Sequence, residues 1–228
     1  MATSKHARWH HGNLLPALVH AADQLIADGG RSAVSLRAVA ARVPKQPGQE
    51  RAVTHTAAMA HVSGVLELLA HVSAAWWERL AGELGAVCAA SPVERLVALG
   101  GAYRQFAVEH PHHFRLLYDE SMWRACEEPD AAGFKQGVLL DRIVAARDAA
   151  FGAFVRAVED GTCDGTLRND CSVYVMARVM ASLSHGLAME ALDERLPSDD
   201  ARDVLGLGVD GLRASTFATR RSPGHDAE

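Results

Sequence analysis

Thr54, His55 and Thr56, followed closely by Met59 and His61, bring hydroxyls, imidazoles and a soft apolar side chain into one short stretch. A threonine hydroxyl can hydrogen-bond a base edge or a phosphate, and a methionine, or the neighbouring Ala58, can rest on a thymine methyl. Upstream, Ser35 and Arg37 open another short stretch and suit a phosphate, helped by the dipole of a helix N-terminus. Lys5 and Arg8, in a polar arm, suit phosphates or a minor groove. No Arg, Asn or Gln stands between Thr54 and His61, so the stretch lacks bidentate base recognition. Lys45, Gln46, Gln49 and Arg51 lie in the preceding polar run PKQPGQER. They either supply such contacts or form a solvated loop.

The elements that must position these groups are helical. Leu14, Leu18, Ala21, Ala22 and Leu25 make one apolar stripe at helical spacing. Asn13 is placed to cap that helix, Pro16 falls in its first turn, and Asp28-Gly29-Gly30 ends it. A second, short helix begins after Ser35 as N-cap, places Leu36, Val39, Ala40 and Val43 at i, i+3, i+4 and i+7, and stops at Pro44. A third starts at Thr54, again a good cap, with Ala57 inward and His55, Thr56, Ala58, Met59, Ala60 and His61 outward. A helix this short holds its shape only by packing on the first two. A short helix, a turn and a second short helix on a longer one is the helix-turn-helix arrangement, whose second member enters a major groove.

Ser35-Leu36-Arg37-Ala38-Val39-Ala40 and Ala52-Val53-Thr54-His55-Thr56-Ala57-Ala58-Met59-Ala60-His61-Val62, ending at Leu68-Leu69, resemble the N-terminal domain of the TetR/AcrR family of transcriptional repressors. The resemblance implies a DNA-binding domain over residues 1–63 with an inserted loop at 44–51. The connector from Pro44 to Val53 has ten residues, against about 3–4 in helix-turn-helix turns generally. Met59 and Val65 stand where the family commonly has a tyrosine and a lysine, and Val62 replaces a phenylalanine.

Charge patterning points the same way. The chain has 23 Lys+Arg against 28 Asp+Glu, a formal charge of −5. Residues 1–54 hold seven cations against three anions, a balance of +4 that leaves −9 for the rest. A cationic end and an anionic body orient a protein on a polyanion.

From residue 64 to 219 the pattern is one larger helical domain with no alternating strand signal, followed by a disordered tail at 220–228. Expected helices run from Gly64 to Val87 (Leu66, Leu69, Val72, Trp76 and Leu80 buried) and from Ser91-Pro92 to His110-Pro111 (Leu96, Leu99, Tyr103, Phe106, Ala107). A short aromatic piece follows over His112–Met122. A long helix spans Gly137–Asp160 with Val138, Ile143, Phe151, Phe154 and Val158. Two more cover Asp170–Leu192 and Ser198 to about Thr216.

Glu109-His110-Pro111-His112-His113-Phe114-Arg115-Leu116-Leu117 and Ser184-His185-Gly186-Leu187 resemble phrases of the ligand-binding domain in one branch of the same family. That resemblance implies a homodimer, built by the last two long helices as a four-helix bundle, and a ligand cavity among the central helices. Cavity candidates are Phe106, His110, Phe114, Tyr118, Trp123, Phe151, Phe154, Met180 and His185. For each aromatic or methionine plain core packing is the better reading, whereas a half-buried His185 needs a partner, which a ligand or a carbonyl could provide. Few charges converge there, so the expected ligand is small and mostly apolar.

The sequence shows no P-loop, HExxH or GxSxG, so no enzyme and no cofactor are expected. His10-His11 and His110-Pro111-His112-His113 are adjacent residues that point apart on a helix, so no metal is expected. Cys88, Cys126, Cys163 and Cys171 lack C-x-x-C spacing, and no apolar run reaches about 18 residues. The expectation is a cytoplasmic, all-α, ligand-responsive regulator, a repressor, binding a palindromic double-stranded operator as a homodimer, with no membrane contact. The alternative is a dimeric small-molecule-binding or protein-interaction module whose helix-turn-helix no longer binds DNA.

Overall fold

The computed structural model describes residues 14–44, 53–128, 130, 132–135, 138–195 and 197–214. Lys5, Arg8, Asn13, Lys45, Gln46, Gln49, Arg51 and the expected tail lie outside the described residues. The helices are α1 (Leu14–Gly29), α2 (Leu36–Arg42), α3 (His55–Met59), α4 (Val65–Gly85), α5 (Pro92–Glu109), α6 (Pro111–Leu117), α7 (Glu120–Glu127), α8 (Leu139–Cys163), α9 (Val173–Leu192) and α10 (Ser198–Asp210). The described residues contain no β-strand, only an isolated bridge between Leu167 and Arg213. The fold is all-α, as the periodicity predicts.

The chain forms two compact units: one runs to Ala86 and resumes over Gln105–Ala150, and the other takes Val87–Arg104 and the chain from Phe151. In the first, α1 packs on α2, α4 and α6, and α4 also meets α6 and α7. Leu14, Leu18, Ala21, Ala22 and Ile26 form the buried stripe of α1. Ile26 takes the place expected for Leu25, which is half-buried. Successive steps of four (Leu18, Ala22, Ile26) keep one face inward, and Leu25 sits at its edge. Gly30, at φ 69°, takes the left-handed geometry that ends the helix, its N–H bonding the Ile26 carbonyl at 2.8 Å.

Helix α4 starts at Val65 and ends at Gly85, shorter at both ends than the expected Gly64–Val87. It buries residues on most of its circumference, including Glu67, His71 and Ser73, while Leu66 is only half-buried. A helix enclosed on several sides has no single stripe for the sequence to display. Asp119 splits the expected His112–Met122 piece: its carboxylate accepts the Met122 N–H at 2.9 Å and caps α7. Val138 lies before α8 and is exposed, against its expected core position, because the helix begins one residue later.

In the second unit α9 and α10 pack together. Gly208 permits the approach, since a Cβ there would meet Leu183 at 2.5 Å; Gly100 does the same for α5, where a Cβ would overlap Leu205 and come within 2.9 Å of Ser184 Oγ. Helix α9 begins at Val173 rather than Asp170, after the Arg168–Asp170 ion pair closes the preceding turn.

Candidate nucleic-acid interface

Both short helices begin as expected. The Ser35 hydroxyl accepts the Ala38 N–H and the Thr54 hydroxyl accepts the Ala57 N–H, each at 3.1 Å. In that role each oxygen accepts from the helix while its own O–H remains free to donate outward. Val39, Ala40 and Val43 fasten α2 to the core, leaving Ser35 and Arg37 exposed.

Helix α3 is one turn long, and its inward residue is Ala58, not Ala57. Ala58 and Val62 are fully buried, four residues apart and in line with Thr54, whereas Ala57 is half-buried. Ala58 therefore lies inward and does not belong to the outward set. Thr54, His55, Thr56, Met59 and Ala60 stay exposed, Met59 at 44 %, and His61 is half-buried.

The far end of α3 is held by groups that the sequence reading did not single out. Glu67 is fully buried, and its carboxylate accepts the Ser63 N–H at 2.6 Å and the Lys135 N–H at 2.9 Å. Lys135 Nζ donates to the Met59 carbonyl. With Gly64 as N-cap, Glu67 is the third helical residue, where a glutamate reaching back to the chain before the helix is a recognisable sequence signal. No comparable signal marks Lys135.

A second set fixes α1 to α4 and α6. Asp23 Oδ1 accepts from Trp76 Nε1 at 2.6 Å and lies 3.0 Å from His113 Nε2, whose ring stacks on Trp76 at 3.8 Å. Burial alone would raise the Asp23 carboxyl, but the hydrogen bonds from His113 and Trp76 outweigh it and hold it below the usual range.

The cationic character of the head is smaller than its composition implies. Arg31 is 2.8 Å from Asp119, and Arg42 is 2.6 Å from Asp28. Among the described cations of this region, Arg37 alone has no carboxylate partner among the described residues. It is the side chain there with its full charge available to a phosphate.

The nine cavity candidates divide between the two units. In the first, Phe106 and Phe114 are fully buried. His110 packs edge-on against Trp76 and Phe106, its Nε2 is buried without a hydrogen-bond partner, and burial and then Arg79 push its pKa down. Tyr118 is exposed against Trp77, while Trp123 donates to the Leu117 carbonyl at 2.7 Å beneath Arg147. In the second unit, Phe154 and Met180 are core residues, and Phe151 lies between Tyr174 and Arg178. His185 is half-buried, its Nδ1 3.2 Å from the Tyr103 hydroxyl, and burial lowers its pKa.

The sequence profile of the tetracyclin repressor-like, C-terminal domain family matches residues 96–212, just over half of the chain. The chain belongs to the TetR family. TetR-family structures resemble it along nearly their full length. A regulatory protein of the tetR family from Rhodococcus RHA1 superposes with a TM-score of 0.62 at 17% identity, covering 88% of this chain and 97% of that one. The TetR family transcriptional regulator PfmR from Thermus thermophilus gives 0.61 at 18% identity, covering 86% and 98%. The ketosteroid transcriptional regulator KstR2 of Mycobacterium tuberculosis gives 0.54 at 16% identity, covering 90% and 97%. These identities speak to fold alone. No curated protein matches the sequence. Among the described residues no helix is long and apolar enough to cross a membrane.

Proposed function

We propose that this TetR-family chain is a ligand-responsive transcriptional repressor that binds a palindromic operator as a homodimer. The observation that carries the reading is the outward row Thr54, His55, Thr56 and Met59 on α3, held in place by caps and the Glu67–Lys135 contacts. Thr54 and Thr56 meet base edges or phosphate, Met59 rests on a thymine methyl, and Ser35 and Arg37 take phosphates. Lys5, Arg8 and Lys45 add phosphate or minor-groove contacts, and His55 and His61 complete the row.

The homodimer forms through α9 and α10. Tyr174 (56 %), Val175 (49 %), Val179 (47 %), Met189 (37 %) and Leu207 (72 %) leave an apolar surface on these helices that suits a four-helix bundle. Such a dimer presents its third helices to major-groove faces about 34–36 Å apart. A small, mostly apolar ligand favours a state with different spacing, through a coupling of about 1–3 kcal/mol. The protein acts in the cytoplasm and catalyses no reaction.

Met59 and Val65, replacing the family's tyrosine and lysine, favour a second reading, a dimeric small-molecule-binding or protein-interaction module with an inactive head. Deleting Pro44–Arg51 separates the two in an electrophoretic assay against the DNA upstream of the chain's own coding sequence. Retardation by the full chain at low salt, weakened by Arg37→Ala and Thr54→Ala, supports the repressor. Retardation that appears only after deletion makes the connector a block and supports the second reading.

A further inference from the structure

A cavity of about 530 Å³ opens between α1 and α4 in the first unit, and none of the nine cavity candidates lines it. Its floor is apolar, from Leu15, Val19, Val72, Ala75 and Trp76. His20, Asp23, His71, Arg79 and Arg142 supply its polar groups. The volume falls in the range of small-molecule sites, and an apolar floor with few polar groups is their usual composition.

Two observations make this wall more than a gap in packing. His71 is 8 % exposed, and its Nε2 is buried with no hydrogen-bond partner, a state that costs free energy unless something occupies the site. Burial lowers its pKa, which keeps the ring neutral and able to donate or accept. The charged groups are also unequally satisfied. Asp23 already accepts from Trp76 and His113, and Glu78 already takes Nε and Nη2 of Arg142 at 2.6 and 2.7 Å. Glu83 takes only Nε of Arg79. Arg79 keeps both terminal nitrogens, and Arg142 one, without a partner among the described residues. Arg79 also lies over the Trp76 ring at 4.8 Å, at the edge of the apolar floor.

We infer that this cavity is a binding site for a small monocarboxylate with an apolar body. The body lies on Val19, Val72, Ala75 and Trp76, and the carboxylate takes the spare guanidinium N–H groups of Arg79 and Arg142. The site shares none of the residues named for the ligand above, although its Trp76 packs edge-on against Phe106 and His110, and it stands whether or not α3 binds DNA.

Calorimetric titration of the full chain with phenylbutyrate tests it, with phenylbutanol and phenylbutylamine as neutral and cationic matches of the same body. The prediction is saturable, one-to-one binding of the carboxylate, tighter than either match by about tenfold or more, the worth of one charge-assisted hydrogen bond. Arg79→Gln lowers that affinity by about tenfold, and Ala75→Trp, a change at an exposed wall position, abolishes it. Circular dichroism establishes that both variants are folded, and Arg79→Gln carries the test if Ala75→Trp is not. No saturable binding, equal affinity for the three compounds, or affinity unchanged in Arg79→Gln overturns the inference. DNA retardation measured on the same samples is independent of each of these results.

Discussion

Asp23→Asn perturbs the joint between α1, α4 and α6 with the least change of shape. In the wild type one carboxylate oxygen serves both Trp76 Nε1, at 2.6 Å, and His113 Nε2, at 3.0 Å. Asparagine keeps an acceptor oxygen there, so the two bonds change from charge-assisted to neutral. That difference is about 1 kcal/mol per bond, or about 2 kcal/mol for the pair. The Asp23 side chain is 35 % exposed, and solvent screening reduces the expected loss to about 1 kcal/mol. The pH dependence gives a sharper test. Asp23 has a folded pKa below its ordinary 3.8, so its contribution is fully present above 3.8 and is lost as pH falls through the folded value. Urea denaturation followed by circular dichroism should show the variant weaker than wild type by about 1 kcal/mol near neutrality, the gap closing below pH 3.8. A variant as stable as wild type at neutral pH, or a gap that stays constant on acidification, would refute the role given to this carboxylate.

Arg37→Ala should weaken DNA binding across sequences and reduce the slope of log affinity against log salt by about 0.9, one phosphate contact, in fluorescence anisotropy at several salt concentrations. Gly100→Ala should lower the urea midpoint, costing about 1–3 kcal/mol, because the new methyl overlaps Leu205 and crowds Ser184 within the second unit. A loss under 0.5 kcal/mol, roughly that of an uncrowded surface site, would show that the helices there shift freely. Val179→Glu, placed in the exposed apolar surface of α9, should convert a dimer to a monomer in sedimentation velocity, and an unchanged species would put the dimer contact elsewhere.

The head was legible in the sequence because its devices are local. Ser35 and Thr54 cap as their type and position dictate, Gly30 stops α1, and Val39, Ala40 and Val43 follow the helical period. The errors came where packing decides among neighbours one step apart. Ile26 displaced Leu25 and Ala58 displaced Ala57, since each helix is oriented by the surface it meets. The long-range polar joints left no trace in spacing. Asp23 with Trp76 and His113 spans ninety positions, and Glu67 with Lys135 spans sixty-eight. Helix α4 hid its role for a related reason: buried on every side from Glu67 to Ala74, it carries His71 and Glu67 inside, where a periodic reading expects apolar residues.

The central claim is that α3 reads a particular duplex sequence, and tiled duplexes covering the region upstream of the chain's own coding sequence test it most directly. Anisotropy titration of the full chain at physiological salt should find one tile bound at least about 10³ times more tightly than the rest. Thr54→Ala with Thr56→Ala should erase that preference while leaving the weak, salt-dependent binding to every tile. Equal affinity for all tiles, or a preference that survives the double substitution, would contradict the account.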